Sequence, residues 1–210
     1  MSSLRLPAAD GPELEARWDT PESAATSAVV LCHPHPQQGG NMDVPLMAAV
    51  ARRLVATGFA VLRFNYRGVG TSTGTWGDGH GELNDVTAAV AAARAELPDT
   101  AVGLAGWSFG AANTLQWLGT THEALPWAGI APPVSPALAP DLPGRDDLAA
   151  SRRTFIIGDR DQFTSVAELT EYAATVGGKV EVLKGSDHFF YFREDRVAAL
   201  VAEALVPQAN

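Results

Sequence analysis

The chain has 210 residues, of which 46% are hydrophobic and 19% charged, and its formal net charge at pH 7 is −9. This length is typical of one α/β domain with a substantial core, so we expect a single domain over residues 1–210. The acidic balance and the scattered lysines and arginines argue against a nucleic-acid partner. No apolar run approaches the ~20 residues of a membrane helix, which argues against a membrane partner as well.

The cysteine content and the N-terminus bear on where the protein is found. The one cysteine, Cys32, excludes an internal disulfide and a cysteine-rich metal cluster. Residues 1–7 lack the apolar core of a secretory signal, so the expected location is the cytoplasm.

Apolar runs and helical spacings alternate along most of the chain. Residues 4–6 and 14–18 alternate apolar with polar side chains around a Gly-Pro turn and predict an opening β-hairpin. The continuous apolar runs that follow are typical of strands buried on both faces of a parallel sheet. The remaining predicted strands are 28–32, 59–64, 101–105, 127–131, 153–157 and 179–183. The predicted helices are 44–57, 82–97, 111–118, 166–176 and 195–205. This pattern predicts a doubly wound α/β sheet, with functional loops at the carboxyl ends of its strands.

Residues 132–151 do not fit this alternation, because prolines recur through the segment. The segment is too short for a separate cap domain. We expect a crossover with one helical turn, passing over or beside the catalytic face.

A Gly-x-Ser-x-Gly motif, residues 106–110, lies between a predicted strand and a predicted helix. In that context the motif predicts a nucleophile elbow, a tight turn that presents the oxygen of Ser108 above the sheet. The alternative is an ordinary strand-to-helix turn in which the Ser108 hydroxyl caps the helix.

Two later strands end in the residues that an elbow serine requires. Asp161 follows one strand and His188 follows the next, so Ser108, Asp161 and His188 occur in the order that this kind of sheet uses. An imidazole activates the serine hydroxyl, and a carboxylate orients that imidazole. Asp159 is the alternative acid, and Asp187 is expected to form hydrogen bonds within its own loop.

Backbone N–H groups near Ser108 are the expected oxyanion donors. Phe109 follows the nucleophile at the start of a helix, whose positive end favours a developing anion. The second donor should come from the loop after the third strand, where the prolines have no N–H, so His35 is preferred and Gln37 is second. We expect the His33 side chain to hold this loop by hydrogen bonds. His33 and His35 have no third ligand beside them, so no metal site is expected.

Aromatic residues surround the predicted catalytic loops in sequence. Trp107, Phe163 and Phe189 are candidates for an apolar acyl pocket, and the alternative is that they pack in the core and around His188. The glycine-rich segment 67–74 fits neither a P-loop nor a dinucleotide fingerprint and is interpreted as a structural loop. Glu82 and Asp85, at the next helix start, are interpreted as caps.

The sequence resembles the α/β-hydrolase superfamily, most closely its small bacterial members. The motifs that carry the resemblance are His-Pro-His-Pro at 33–36, Gly-Asn at 40–41, the segment 63–74 and Gly-Trp-Ser-Phe-Gly at 106–110. The resemblance implies an eight-stranded, mostly parallel sheet with an antiparallel second strand and helices on both faces. It also implies the same roles for Ser108, Asp161, His188, Phe109 and His35. Trp107 stands where Tyr or Phe is more usual.

Together these observations predict a cofactor-free serine hydrolase. The expected reaction is carboxylesterase cleavage of short acyl esters through an acyl-serine intermediate, with a small-molecule ester as the partner. Peptidase and thioesterase activity use the same residues and remain alternatives, as does a catalytically silent binding protein on this fold. The chain is expected to be a monomer or a homodimer.

Overall fold

The structure is a computed structural model and describes residues 4–139 and 141–206. Its strands are β1 Leu4–Pro7, β2 Glu13–Asp19, β3 Ser27–Cys32, β4 Phe59–Phe64, β5 Ala101–Trp107, β6 Trp127–Ile130, β7 Arg153–Gly158 and β8 Lys179–Leu183. Its α-helices are α1 Pro45–Ala56, α2 Gly81–Glu96, α3 Phe109–Thr121, α4 Val166–Thr175 and α5 Glu194–Leu205. Short 3-10 turns occur at Pro36–Gln38 and Arg145–Asp147.

The eight strands form one sheet in the order β1-β2-β4-β3-β5-β6-β7-β8. β2 pairs antiparallel with both β1 and β4, and every other pairing is parallel. The predicted eight-stranded, mostly parallel α/β-hydrolase sheet with an antiparallel second strand is therefore confirmed.

Helices cover both faces of the sheet because the central strands are apolar on both sides. In β3, Val30 and Cys32 pack into one hydrophobic cluster with α2, α3 and α4. The alternate residues Val29 and Leu31 pack into a second cluster with α1 and α5. None of the helices in the described part of the chain is long and apolar enough to cross a membrane.

The carboxyl ends of the parallel strands share one edge of the sheet. Ser108 follows β5, Asp161 follows β7 and His188 follows β8. The loop 33–40 follows β3, which is the neighbour of β5. Residues far apart in sequence are thereby brought to one edge.

The crossover between β6 and β7 contains one helical turn, Arg145–Asp147, as expected. It is tied to the body of the domain where the hydroxyl of Tyr172 donates a hydrogen bond to the carbonyl of Pro143 at 2.8 Å. Residues Leu138, Ala139, Asp141 and Leu142 line the cavity that contains Ser108, so the crossover runs beside that site.

The interpretation of Glu82 and Asp85 as helix caps is wrong. Both side chains are completely buried. Asp85 accepts hydrogen bonds from the Arg67 guanidinium, at 2.7 Å for Nη2, and from the Arg67 backbone N–H. Glu82 accepts N–H groups of Gly77 and Gly79, in the loop before α2. Burial raises the pKa of Asp85, and the pairing with Arg67 opposes that rise. The two carboxylates therefore anchor the loops that precede α2.

Candidate active site

Ser108 is the single residue between β5 and α3, and its backbone is strained. It has φ 53° and ψ −117°, a region that residues with a Cβ rarely adopt. The Ser108 N–H donates to the carbonyl of Ile130 at 2.7 Å, which helps to hold the turn. Strain of this kind costs about 1–3 kcal/mol and is common where a side chain must be presented in one direction.

The two glycines of the motif are required by close packing around Ser108. A Cβ on Gly106 would lie 2.4 Å from the carbonyl carbon of Gly110. A Cβ on Gly110 would lie 2.5 Å from the carbonyl oxygens of Cys32 and His33. Neither gap admits a side chain, so the start of α3 lies directly against the end of β3.

The structure brings Ser108, His188 and Asp161 into one hydrogen-bonded chain. His188 Nε2 lies 3.0 Å from Ser108 Oγ, and His188 Nδ1 lies 2.8 Å from Asp161 Oδ2. An ionised carboxylate only accepts, so Nδ1 carries the proton and Nε2 is free to accept the serine proton. The Ser108 hydroxyl is thus directed at His188 instead of capping α3.

Asp161 and the alternative acid, Asp159, bind different partners. The second oxygen of Asp161 accepts the N–H groups of Phe163 at 2.9 Å and Thr164 at 3.1 Å. Asp159 accepts the N–H of Gly185 at 2.6 Å, in the loop before His188. The geometry therefore favours Asp161 as the partner of the imidazole.

Asp187 forms hydrogen bonds within its own loop. Its Oδ1 accepts the N–H groups of Phe189 at 3.0 Å and Phe190 at 3.2 Å. The carboxylate next to His188 in sequence is thus used to fold the loop.

The backbone of His188 is held by two side chains that the sequence analysis did not connect to it. The His188 N–H donates to Gln162 Oε1 at 3.2 Å, and the indole N–H of Trp107 donates to the His188 carbonyl at 3.2 Å. Gln162 follows Asp161, and Trp107 precedes Ser108. Ser108 and Asp161, which bond to the imidazole, are therefore each adjacent in sequence to a residue that binds the His188 main chain.

The two expected oxyanion donors are free to bind a ligand. Within residues 4–139 and 141–206, the N–H groups of Phe109 and His35 have no acceptor. Both residues line the cavity beside Ser108. The second choice, Gln37, donates its N–H to His35 Nδ1 at 3.2 Å and is already engaged.

His33 orients the peptide that carries one of these donors. Its Nε2 accepts the N–H of Tyr66 at 3.1 Å, so Nδ1 carries the proton and donates to the Pro34 carbonyl at 2.6 Å. The Pro34 carbonyl and the His35 N–H belong to one planar trans peptide and point in opposite directions. Burial lowers the pKa of His33 to about 4, which keeps the ring neutral. The His35 N–H therefore points away from the buried ring.

A cavity of about 440 Å³ opens beside Ser108. Trp107, Phe163 and Phe189 all line it, as do the crossover residues. Phe163 and Phe189 are half-exposed, whereas Trp107 is 9% exposed and mostly packed. On another side of the cavity the rings of His35, Trp76 and Phe109 pack together, with centroids 4.9–5.3 Å apart.

In the two described ranges, His, Cys, Asp and Glu side chains form no group of three or more that could hold a metal ion. Cys32 is buried, and burial raises the pKa of its thiol to about 12. A thiol in that state packs as a small apolar group.

One protein family matches most of the chain. The alpha/beta hydrolase domain family matches residues 25–203, which include Ser108, Asp161 and His188. The chain belongs to the alpha/beta hydrolase family.

Similar proteins agree with this assignment. An alpha-beta serine hydrolase homologue from Coxiella burnetii is 26% identical, covers 98% of this hydrolase and 97% of its own chain, and superimposes with a TM-score of 0.86. A serine hydrolase without a lid from Xanthomonas campestris is 27% identical, with coverage of 99% and 96% and a TM-score of 0.85. An uncharacterized protein of Rickettsia prowazekii is 29% identical over 94% of this chain and 87% of its own.

Proposed function

We propose that this alpha/beta hydrolase is a serine esterase that cleaves short, neutral carboxylic esters through an acyl-serine intermediate. The observation that carries the proposal is the hydrogen-bonded chain from Ser108 through His188 to Asp161, located at the wall of an open cavity. Each of its members has the chemical role that ester cleavage requires.

In the acylation step, Ser108 Oγ attacks the ester carbonyl while His188 Nε2 accepts its proton. The carboxylate of Asp161 stabilises the imidazolium that forms. The N–H groups of Phe109 and His35 bind the oxyanion, and the N-terminal end of α3 adds a favourable dipole. His188 then returns the proton to the leaving alcohol.

In the deacylation step, a water molecule takes the place of the alcohol. His188 removes a proton from that water, which attacks the acyl carbonyl, and the same N–H groups bind the second oxyanion. Collapse of this intermediate releases the acid and returns the proton to Ser108 Oγ. No cofactor is needed for either step.

The charges around the cavity favour uncharged or cationic substrates over anionic ones. Asp78, Asp141 and Glu194 line it, and its described lining includes no lysine or arginine. Polyanionic carriers such as coenzyme A would meet like charge here, which disfavours the thioesterase alternative in that form. Peptidase activity remains an alternative, because amide cleavage uses the same residues.

A rate panel tests the proposal. Purified protein is assayed with p-nitrophenyl esters of increasing acyl length, beside matched amide and thioester analogues, and is treated with a fluorophosphonate probe. We expect labelling of Ser108 and fastest turnover of the short esters. If the wild-type protein is neither labelled nor active on any ester, a catalytically silent binding protein becomes the better interpretation.

A further inference from the structure

We propose that Phe163, Phe189 and Tyr191 form a binding site for the alcohol part of the ester, selecting esters of apolar alcohols of about the size of an aromatic ring. The proposal rests on the proposed esterase function. It assigns to these rings the leaving group, whereas the sequence analysis placed Phe163 and Phe189 in an acyl pocket.

The direction of proton transfer identifies the side on which the alcohol lies. The oxyanion must face the N–H groups of Phe109 and His35. The leaving oxygen must lie within hydrogen-bond distance of His188 Nε2, because that nitrogen returns the proton to it. The alcohol therefore occupies the part of the cavity beside the His188 ring.

Aromatic rings surround the imidazole on that side. The Phe163 ring packs edge-on against His188, with centroids 4.6 Å apart and an interplanar angle of 67°. Phe189 does the same at 5.6 Å and 86°, and Tyr191 stacks on Phe189 at 5.7 Å and 22°. All three residues line the cavity.

These rings are exposed to water although they lie beside a buried base. Phe163 is 47% exposed, Phe189 38% and Tyr191 65%, whereas His188 is 5% exposed. Exposed apolar surface grouped at one place is typical of a binding site. An apolar group bound there would remove these rings from water.

The backbone of residues 189–192 is shaped to present two of the rings to the cavity. Phe190 has φ 54° and Phe192 has φ 62°, values that are unusual for residues with a Cβ. Phe190 is fully buried in the core, whereas Phe189 and Tyr191, the residues on either side of it, line the cavity. A loop that served only to pack His188 would not need Tyr191 outside.

The test compares esters that share an acyl group and differ in the alcohol. The values of kcat/KM are measured for benzyl butyrate and methyl butyrate with the wild type, Phe189→Ala and Tyr191→Ala. We expect the wild type to prefer the benzyl ester and the benzyl-to-methyl ratio to fall about fivefold in each variant, which is the size of one aromatic contact. Phe192→Ala is the matched control, because Phe192 is 95% exposed and is not among the cavity-lining residues described.

A second series separates the alcohol side from the acyl side. The ratio of kcat/KM for methyl hexanoate and methyl acetate is measured with the same variants. The proposal is overturned if Phe189→Ala and Tyr191→Ala change this acyl ratio in place of the alcohol ratio, or if Phe192→Ala lowers the alcohol ratio equally. Failure of the esterase function itself is distinguishable, because no ester would be cleaved and Ser108 would not react with a fluorophosphonate.

Discussion

Two buried histidines at the same edge of the sheet have opposite surroundings. His33 is fully buried after β3, and His188 is 5% exposed after β8. The ring nitrogens of His33 bond to backbone groups, the N–H of Tyr66 and the carbonyl of Pro34. Those of His188 bond to side chains, the carboxylate of Asp161 and the hydroxyl of Ser108.

The chemistry of the partners therefore favours a structural role for His33 and agrees with the proton-carrying role proposed for His188. Backbone amides neither give nor take protons at ordinary pH, so the bonds of His33 hold one neutral tautomer and fix a loop. A carboxylate stabilises a protonated ring, and a hydroxyl has a proton to give, so the bonds of His188 support transfer. Burial alone would not distinguish the two residues.

The largest expected effect comes from removing the hydroxyl that faces His188. Ser108→Ala should lower kcat for ester hydrolysis by about 10⁴-fold or more, because the nucleophile is gone. Thermal melting should stay close to wild type, since the change removes one oxygen at the cavity wall. Ser165→Ala is the control: Ser165 caps α4 by accepting the N–H of Glu168, so its loss should cost about 1 kcal/mol of stability and leave kcat in place. If Ser108→Ala retained ester turnover, Ser108 would not be the nucleophile.

The same substitution at both histidines tests the comparison directly. His188→Gln should lower kcat by about 10³-fold or more with little change in melting temperature. His33→Gln should lower stability by about 1–3 kcal/mol, because the N–H of Tyr66 loses its buried acceptor. Its effect on kcat should be smaller and act through the His35 donor. If the two variants lost activity equally while both stayed stable, the distinction between the two rings would be wrong.

The acid partner gives the next effect. Asp161→Asn should lower kcat by about 10³-fold, because the amide can hold His188 in the wrong tautomer. Asp159→Asn should lower kcat far less, since its carboxylate binds the Gly185 N–H and does not reach the imidazole. Steady-state rates for both variants with one ester decide the matter, and the reverse ranking would reassign the acid.

The buried state of His33 also predicts how stability depends on pH. Its folded pKa is about 4, below the ordinary value of 6.5, because burial disfavours the charged ring. Between these values the unfolded chain binds the proton and the folded chain does not, so stability falls as the pH drops from 6.5 to 4. About 3 kcal/mol of stability is therefore present above pH 6.5 and is lost as the pH falls to about 4.

Denaturant unfolding at several pH values measures this slope. Between pH 6.5 and 4, the unfolding free energy of His33→Gln should fall by about 3 kcal/mol less than that of the wild type. His80→Gln is the control, because His80 is an exposed histidine whose side chain is 66% accessible. If the stability of His33→Gln depended on pH as strongly as that of the wild type, His33 would not titrate as described.

Much of the sheet could be predicted because its central strands are mainly apolar and its outer strands alternate apolar with polar residues. The predictions for β4 and β8 match the structure residue for residue, and the other boundaries differ by few residues. The order Ser108, Asp161, His188 could be predicted because each residue lies in the connection that follows a predicted strand. The position of a loop at one edge of the sheet follows from topology alone.

The partners of polar side chains outside the predicted Ser108, Asp161 and His188 set could not be predicted. Asp85 looked like a helix cap, but the Arg67 guanidinium that it binds comes from the loop after β4 and draws it into the interior. Tyr191 lies between two phenylalanines with positive φ angles, for which the sequence has no signal. The local sequence pattern predicts which face of a helix or strand is apolar. It does not predict which distant group will bond to a polar side chain.

The smallest effect concerns Trp107, the residue that precedes Ser108. Trp107→Phe keeps an aromatic ring beside Ser108 and removes the indole N–H that binds the His188 carbonyl at 3.2 Å. Losing one such hydrogen bond is worth about 1 kcal/mol, so kcat should fall about fivefold. Gln162→Met should act similarly, because it removes the acceptor of the His188 N–H while retaining length. Because both bonds hold the same residue, the fall in kcat of the double variant should differ from the product of the two single falls. Strictly multiplicative losses would show that the two side chains do not position His188 together.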